Sequence, residues 1–172
     1  MLVYEMENEY NGQDGICSGL SSLFCVNALR YLHETPPNAA RGAQIQNESL
    51  AAISELPQEQ HAGAQFQSVM ASAGLRGTGR FSKQKGWVLL GFPPPEGTVW
   101  YLIAGGHAFA QATYQGAYYH FEPCVGLIKS SLKFQWSQEV AAAYDNLAVD
   151  LPSGLRYLPG REWMRIEVQI GD

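Results

Sequence analysis

Hydrophobic spacing switches once along this chain, from the period of about 3.6 residues that marks helices to the alternation that marks strands, and the switch decides which fold classes are open to it. Between Ile16 and Leu32, the residues Ile16, Leu20, Leu23, Phe24, Leu29 and Leu32 line one helical face. A loop marked by "TPPNAARG" follows, then a short helix capped by Asn47 or Ser49 and running through Leu56, then "QEQHAGAQFQSVMASAG", a helix stopped by Gly74. Near Arg80, β-branched and aromatic residues take over. "GWVLLGF" and "TVWYLIAG" are expected strands joined by "PPPEG", "HAFAQATY" and "AYYHFEP" follow as a pair, and "WMRIEVQI" closes the chain after one late helix in "SSLKFQWSQEVAAAYDNL". Helices first and strands second, without βαβ alternation, is the order of an α+β fold. With 172 residues, one domain is expected over 1–172, its helical half (about 1–79) packed on an antiparallel sheet (about 80–172).

Gln115 and Gly116 have the composition of a two-residue hairpin loop, and that loop sets a register by counting outward: Tyr114 faces Ala117, Gln111 faces His120, Phe109 faces Glu122 and His107 faces Cys124. His107 and Glu122 are then diagonal neighbours with Cβ atoms about 7 Å apart, close enough for a carboxylate to reach an imidazole. The same alternation turns Ala108, Ala110 and Ala112 to the other face, where small side chains let another element approach closely. His120 shares the His107 face and, between Tyr119 and Phe121, reads as a packed or hydrogen-bonded structural residue. His33 and His61 are expected at the solvated surface.

Cys17 stands at the start of the first helix. Cysteine is among the most often buried residue types, so it reads either as core filling or as a nucleophile. A free thiol titrates near about 8.5, and a helix N-terminus with an adjacent imidazolium lowers that value, the imidazolium supplying most of a large shift. Cys17 as nucleophile, His107 as its ion-pair partner and proton donor, and Glu122 orienting the imidazole form a coherent set. The Cys17 amide would donate to an oxyanion, with a side-chain amide of Gln13 or Asn11 as the second donor. Cys25, near the same helix face, and Cys124 are expected to be structural.

The charge balance, 11 Lys and Arg against 16 Asp and Glu, opposes nucleic acid as a partner, since counterion release needs clustered cations. The local exception is "GLRGTGRFSKQKG", which reads as a solvated loop or strand edge, or as a contact for an anion or acidic partner. No apolar run is long enough for a membrane span, and "MLVYEMENEYNG" has no signal-peptide pattern. Three cysteines without a C-x-x-C pair suggest reduced thiols rather than disulfides or structural zinc. No metal or organic cofactor is expected.

"GICSGLSSLF" around Cys17, "GGHAFAQA" around His107 and "YHFEPCVG" around Glu122 resemble, in that order, the catalytic segments of papain-like cysteine peptidases, and among these the YopT and AvrPphB type of bacterial effector proteases. The resemblance implies a papain-like fold, Cys17 as nucleophile, His107 as general acid/base, and Glu122 in the place of the family's aspartate, its extra methylene altering how the imidazole is held. It further implies an effector or toxin that cleaves a protein of a host or competitor cell through a thioacyl-enzyme intermediate. Such a protein would be made in the bacterial cytoplasm without a signal peptide and delivered by a specialised secretion system, with a cognate chaperone or immunity protein as a further partner. The same triad also serves glutamine deamidation or amide transfer, and a papain-like relative without turnover would act as a binding module.

Overall fold

The structure, a computed structural model, describes residues 1–57, 60–147 and 155–171. Strand β1 (Leu2–Glu5) and the two-residue strands β2 (Glu9–Tyr10) and β3 (Gln13–Asp14) precede helix α1 (Cys17–Leu29). Helices α2 (Ala39–Ile53) and α3 (His61–Ala73) follow, then strand β4 (Leu75–Lys85) and a single helical turn, α4 (Gly86–Leu89). Strands β5 (Val99–Ala104), β6 (His107–Tyr114), β7 (Ala117–Glu122) and β8 (Gly126–Ser130) run consecutively into helix α5 (Lys133–Asp145), and a 3-10 turn (Leu155–Gly160) leads into the last strand, β9 (Glu162–Ile170). Among the described residues one seven-stranded antiparallel sheet forms in the order β1-β8-β7-β6-β5-β9-β4.

The alternation of β6 divides the core into two layers. Ala108, Ala110 and Ala112 face α1, whose N-cap Ile16 and helical Leu20 and Phe24 are fully buried against the sheet. Phe24 stacks on Phe121 of β7 with ring centroids 5.2 Å apart. Burying one such side chain stabilises the fold by about 1.5–3 kcal/mol, and only alanine-sized neighbours leave room for a helix this near the strands. On the opposite face Phe109 packs with Trp136, Val140 and Tyr144 of α5 and with Trp163 of β9. Site-bearing β6 is thus held from both sides.

From Tyr114 back to Ala110 the hairpin register counted from Gln115-Gly116 is present: Tyr114 pairs with Ala117, Gln111 with His120 and Ala110 with Phe121, while the expected pairs Phe109–Glu122 and His107–Cys124 lie beyond the paired residues. Both loop residues have positive φ, 51° and 73°, the conformation a two-residue turn of this hand needs.

Several elements differ from expectation. "GWVLLGF" is not a strand: Gly86 donates its N–H to the Arg161 carbonyl and begins α4, which sends Leu89 and Leu90 into the second core and leaves Trp87 exposed. A Cβ on residue 86 would lie 2.4 Å from Trp163, so the chain turns where only glycine fits. Helix α2 starts earlier than Asn47 or Ser49, because Asn38 caps it by accepting from Arg41 N at 2.9 Å. In α3, Gly74 is the left-handed C-cap expected; residues 58 and 59 of that predicted segment lie outside the described residues.

The basic stretch of residues 74–86 is largely β4, an edge strand, which matches one of its two readings. Strands β1 and β8 had no clear pattern of their own, and β1 and the start of β4 place sheet within the stretch assigned to helices. Among the described residues no helix is long and apolar enough to cross a membrane.

Candidate active site

The turn between β5 and β6 is Gly105-Gly106, with φ of 54° and 80°, so β6 begins abruptly with His107 paired to Ala104. Helix α1 begins at the same end of the sheet with Cys17 as its first residue. Its N-cap, Ile16, offers no side-chain acceptor. Gly19 N–H is taken by Gln46 Oε1 at 3.2 Å and Leu20 N–H by the Ile16 carbonyl, leaving the amides of Cys17 and Ser18 at the open end of the helix.

Three of the sequence-predicted groups meet here. His107 Nε2 lies 2.7 Å from Glu122 Oε1, and the imidazole also hydrogen-bonds to the Cys17 thiol, for which Nδ1 is the remaining ring nitrogen. The Ala108 amide donates to the same sulfur. Glu122 ends β7 and is almost wholly buried, and its Oε1 also accepts from the Cys124 amide at 3.1 Å.

The charges follow from these contacts. Burial pushes the Cys17 thiol up, but the hydrogen bond and charge of His107 and the Ala108 amide outweigh it, so the thiol sits below its ordinary value. Burial disfavours the His107 cation, yet the Glu122 charge and the bonds to Cys17 and Glu122 push its pKa up to about 10. Burial would raise Glu122, and His107, the Cys124 amide and the Tyr144 hydroxyl together hold it below the carboxylate range. The contacts therefore favour the thiolate, imidazolium and carboxylate forms of the three groups, in sequence. Such a set can attack an electrophilic carbon, protonate a leaving group and keep the imidazole aligned.

The two amides predicted as oxyanion donors are placed differently. Asn11 is the first residue of the exposed β2–β3 turn, with φ 49° ahead of Gly12. Gln13 exchanges hydrogen bonds with Asn47 of α2, at 2.8 and 3.3 Å. Both lie on the hairpin that leads into α1.

His33 corrects the expectation of a solvated ring. It is buried, stacked on Tyr114 at 4.4 Å and on Tyr119 at 5.2 Å, because the chain after α1 folds back onto the β6–β7 hairpin. The side chain of His61 lies outside the described residues. Cys25 is fully buried, and Cys124 has its thiol pushed up to about 12 by burial and the Glu122 and Cys17 charges, so neither competes with Cys17 as a thiolate. No disulfide joins the three cysteines.

His107, Glu122 and Cys124 place three donor atoms within 4.8 Å of one another. The His107–Glu122 separation of 2.7 Å is that of a hydrogen bond and is shorter than the about 3.3 Å two ligands of a tetrahedral zinc ion keep. What sequence reasoning did not identify is Tyr144 of α5, which donates to Glu122 Oε2 at 2.7 Å. Its signal was slight: an aromatic with a polar tip on a late helix.

By sequence the chain matches no family model and no curated protein. By structure it is similar to the Pseudomonas avirulence protein AvrPphB, with a TM-score of 0.67 over 96% of each chain at 18% identity. It is also similar to the ubiquitin-specific protease encoded by murine cytomegalovirus tegument protein M48, solved with a ubiquitin-based suicide substrate, with a TM-score of 0.53 over 89% of this chain and 76% of that one at 8% identity. The chain thus has the fold of the papain-like cysteine peptidases: a helix opening on a cysteine, packed against an antiparallel sheet that carries the histidine and the carboxylate.

Proposed function

We propose that this protein is a cysteine protease in which Cys17, His107 and Glu122 act as nucleophile, general acid/base and orienting carboxylate. The observation that carries the reading is the single line of contacts from the Cys17 sulfur through the imidazole to Glu122 Oε1, 2.7 Å from Nε2. The thiolate attacks the scissile carbonyl carbon, and the resulting oxyanion accepts a hydrogen bond from the Cys17 amide at the open helix end. The imidazolium gives its proton to the departing amine, so the C–N bond breaks and a thioester remains on the sulfur. Neutral His107 then takes a proton from water as the water attacks the thioester, and the acid product leaves with Cys17 restored. Gln13 or Asn11 would be the second oxyanion donor; Gln13 Nε2 gives one of its two N–H groups to Asn47 and keeps the other.

The substrate is a protein, and the resemblance in the three motifs together with the fold shared with AvrPphB supports an effector of the YopT and AvrPphB type, secreted into a host or competitor cell. A chaperone or immunity protein would then keep it inactive in the producing cell. The test is incubation with a peptide library, reading new N-termini by mass spectrometry, beside Cys17→Ala and His107→Ala. Cleavage lost in both variants is the expected result; cleavage that persists in Cys17→Ala, or a parent whose Cys17 alkylates with the pH profile of a free thiol, overturns the proposal.

A further inference from the structure

Glu122 reaches His107 through a side chain with three rotatable bonds, and bonds to one of its oxygens alone would leave the other without a donor inside the core. Tyr144 meets that second oxygen, donating its hydroxyl proton to Oε2 at 2.7 Å. The phenol oxygen lies 2.9 Å from His120 Nε2, and His120 Nδ1 lies 3.1 Å from Gln111 Nε2. All four groups are buried.

Hydrogen counting fixes every direction in this chain. An ionised carboxylate only accepts, so the single proton of Tyr144 goes to Glu122. His120 must then donate from Nε2 to the phenol oxygen, and its Nδ1 accepts from the Gln111 amide. His120 is therefore the neutral Nε2–H tautomer, which agrees with burial pushing its pKa down to about 4. Among the described residues Gln111 Oε1 is left without a partner, so the run of bonds has one beginning and points one way, toward Glu122.

We propose that Gln111, His120 and Tyr144 form a relay that positions Glu122, fixing which carboxylate oxygen faces His107 and so holding the imidazole against Cys17. The three are positioning residues, and the inference rests on Cys17, His107 and Glu122 being the reactive set. The relay ties α5, which contributes nothing else to the site, to the strands that carry His107 and Glu122. The titratable groups facing Glu122 are His107 and His120 from the two hairpin strands, Tyr144 from α5 and Cys124 from the following turn, with Cys17 beyond the imidazole.

The test is the rate of Cys17 alkylation by iodoacetamide across pH in the full chain, with circular dichroism to verify folding. Tyr144→Phe keeps the ring and removes only the donor. It is expected to slow alkylation about tenfold at pH values below the parent's midpoint, as that midpoint rises by about one pH unit, and to leave the rate at alkaline pH unchanged, where every thiol is ionised. His120→Phe should move the profile the same way by less, and added to Tyr144→Phe it should change nothing further. In a Glu122→Asp background, where the carboxylate is too short to reach α5, Tyr144→Phe should be silent.

A folded Tyr144→Phe protein with the parental profile overturns the relay, and so does full additivity of Tyr144→Phe with Glu122→Asp. Should Tyr144→Phe not fold, His120→Phe is judged by the same criterion. A parent whose Cys17 titrates as a free thiol, indifferent to His107→Ala, overturns the proposed function instead, so the two failures are distinguishable.

Discussion

His107 Nε2 and Glu122 Oε1 stand 2.7 Å apart although their residues are 15 positions apart in the chain, because both sit at the same end of a two-stranded hairpin whose register is set by Gln115 and Gly116. The imidazole is anchored at Nε2, and Nδ1 is thereby presented to the sulfur. This makes the thiol's ionisation depend on the histidine more than on the helix.

Alkylation of Cys17 should therefore set in at lower pH than for a free thiol, which titrates near about 8.5. In His107→Ala the sulfur loses its largest stabilising partner while the burial that disfavours the thiolate remains, so the profile should move to or above the free-thiol value. Rate against pH for the two proteins decides it, and coincident curves would refute the ion pair.

The same pair makes stability depend on pH in a defined window. Glu122 has a lowered pKa in the folded state, so the stability from its ionised form is present above the ordinary 4.5 and is lost as pH falls through the lowered value. His107 is raised, so its contribution is full below 6.5 and is lost as pH rises toward about 10. Glu122→Gln should cost about 3 kcal/mol near neutral pH, the scale for breaking a buried pair on one side. The gap between variant and parent in urea unfolding should narrow at both ends of that window.

Much of this was legible in the sequence, and what was not has a common physical cause. Helix α1 and the β6–β7 hairpin declare themselves locally, through an apolar face, a Gln-Gly turn and strict alternation, and together they bring Cys17, His107 and Glu122 to one end of the sheet. "GWVLLGF" has strand-like composition, and its turn is dictated by Trp163 from the far end of the chain lying against Gly86. Short strands such as β1 and β8 gain their order from neighbours, β1 from β8 and β8 from β1 and β7, so neither carries a pattern alone. The burial of His33, the bond between Gln13 and Asn47, and the reach of Tyr144 to Glu122 depend on how separate elements dock, which no local spacing encodes.

Selective labelling offers a third expectation. Burial alone pushes Cys25 up, and burial with two nearby negative charges pushes Cys124 up to about 12. A limited dose of iodoacetamide at neutral pH should thus modify Cys17 before the other two cysteines. Peptide mapping by mass spectrometry reads this directly, and label found first on Cys124 would contradict the charge arrangement.

The last expectation concerns what seats the nucleophile's helix. Two residues after Cys17, α1 crosses α2 with backbone against backbone: a Cβ on Gly19 would lie 2.0 Å from the Gly42 carbonyl oxygen. Alanine is favoured over glycine within a helix by about 1 kcal/mol, so Gly19→Ala would stabilise an isolated α1. Here the obstacle is backbone and cannot swing aside, so the helices must separate, at the cost of the Gly19–Gln46 bond and of packing around Leu20. Overpacking of this kind costs about 1–3 kcal/mol, which exceeds the helical gain. Gly42→Ala is the informative contrast, because its Cβ would meet the tip of the Leu20 side chain at 2.9 Å, and a side-chain tip can shift. Urea unfolding should rank the parent above Gly42→Ala and Gly42→Ala above Gly19→Ala, with Cys17 alkylation at acid pH slowed most in the last. If Gly19→Ala were as stable as the parent, α1 and α2 would not be in backbone contact, and the seat of Cys17 would have to lie elsewhere.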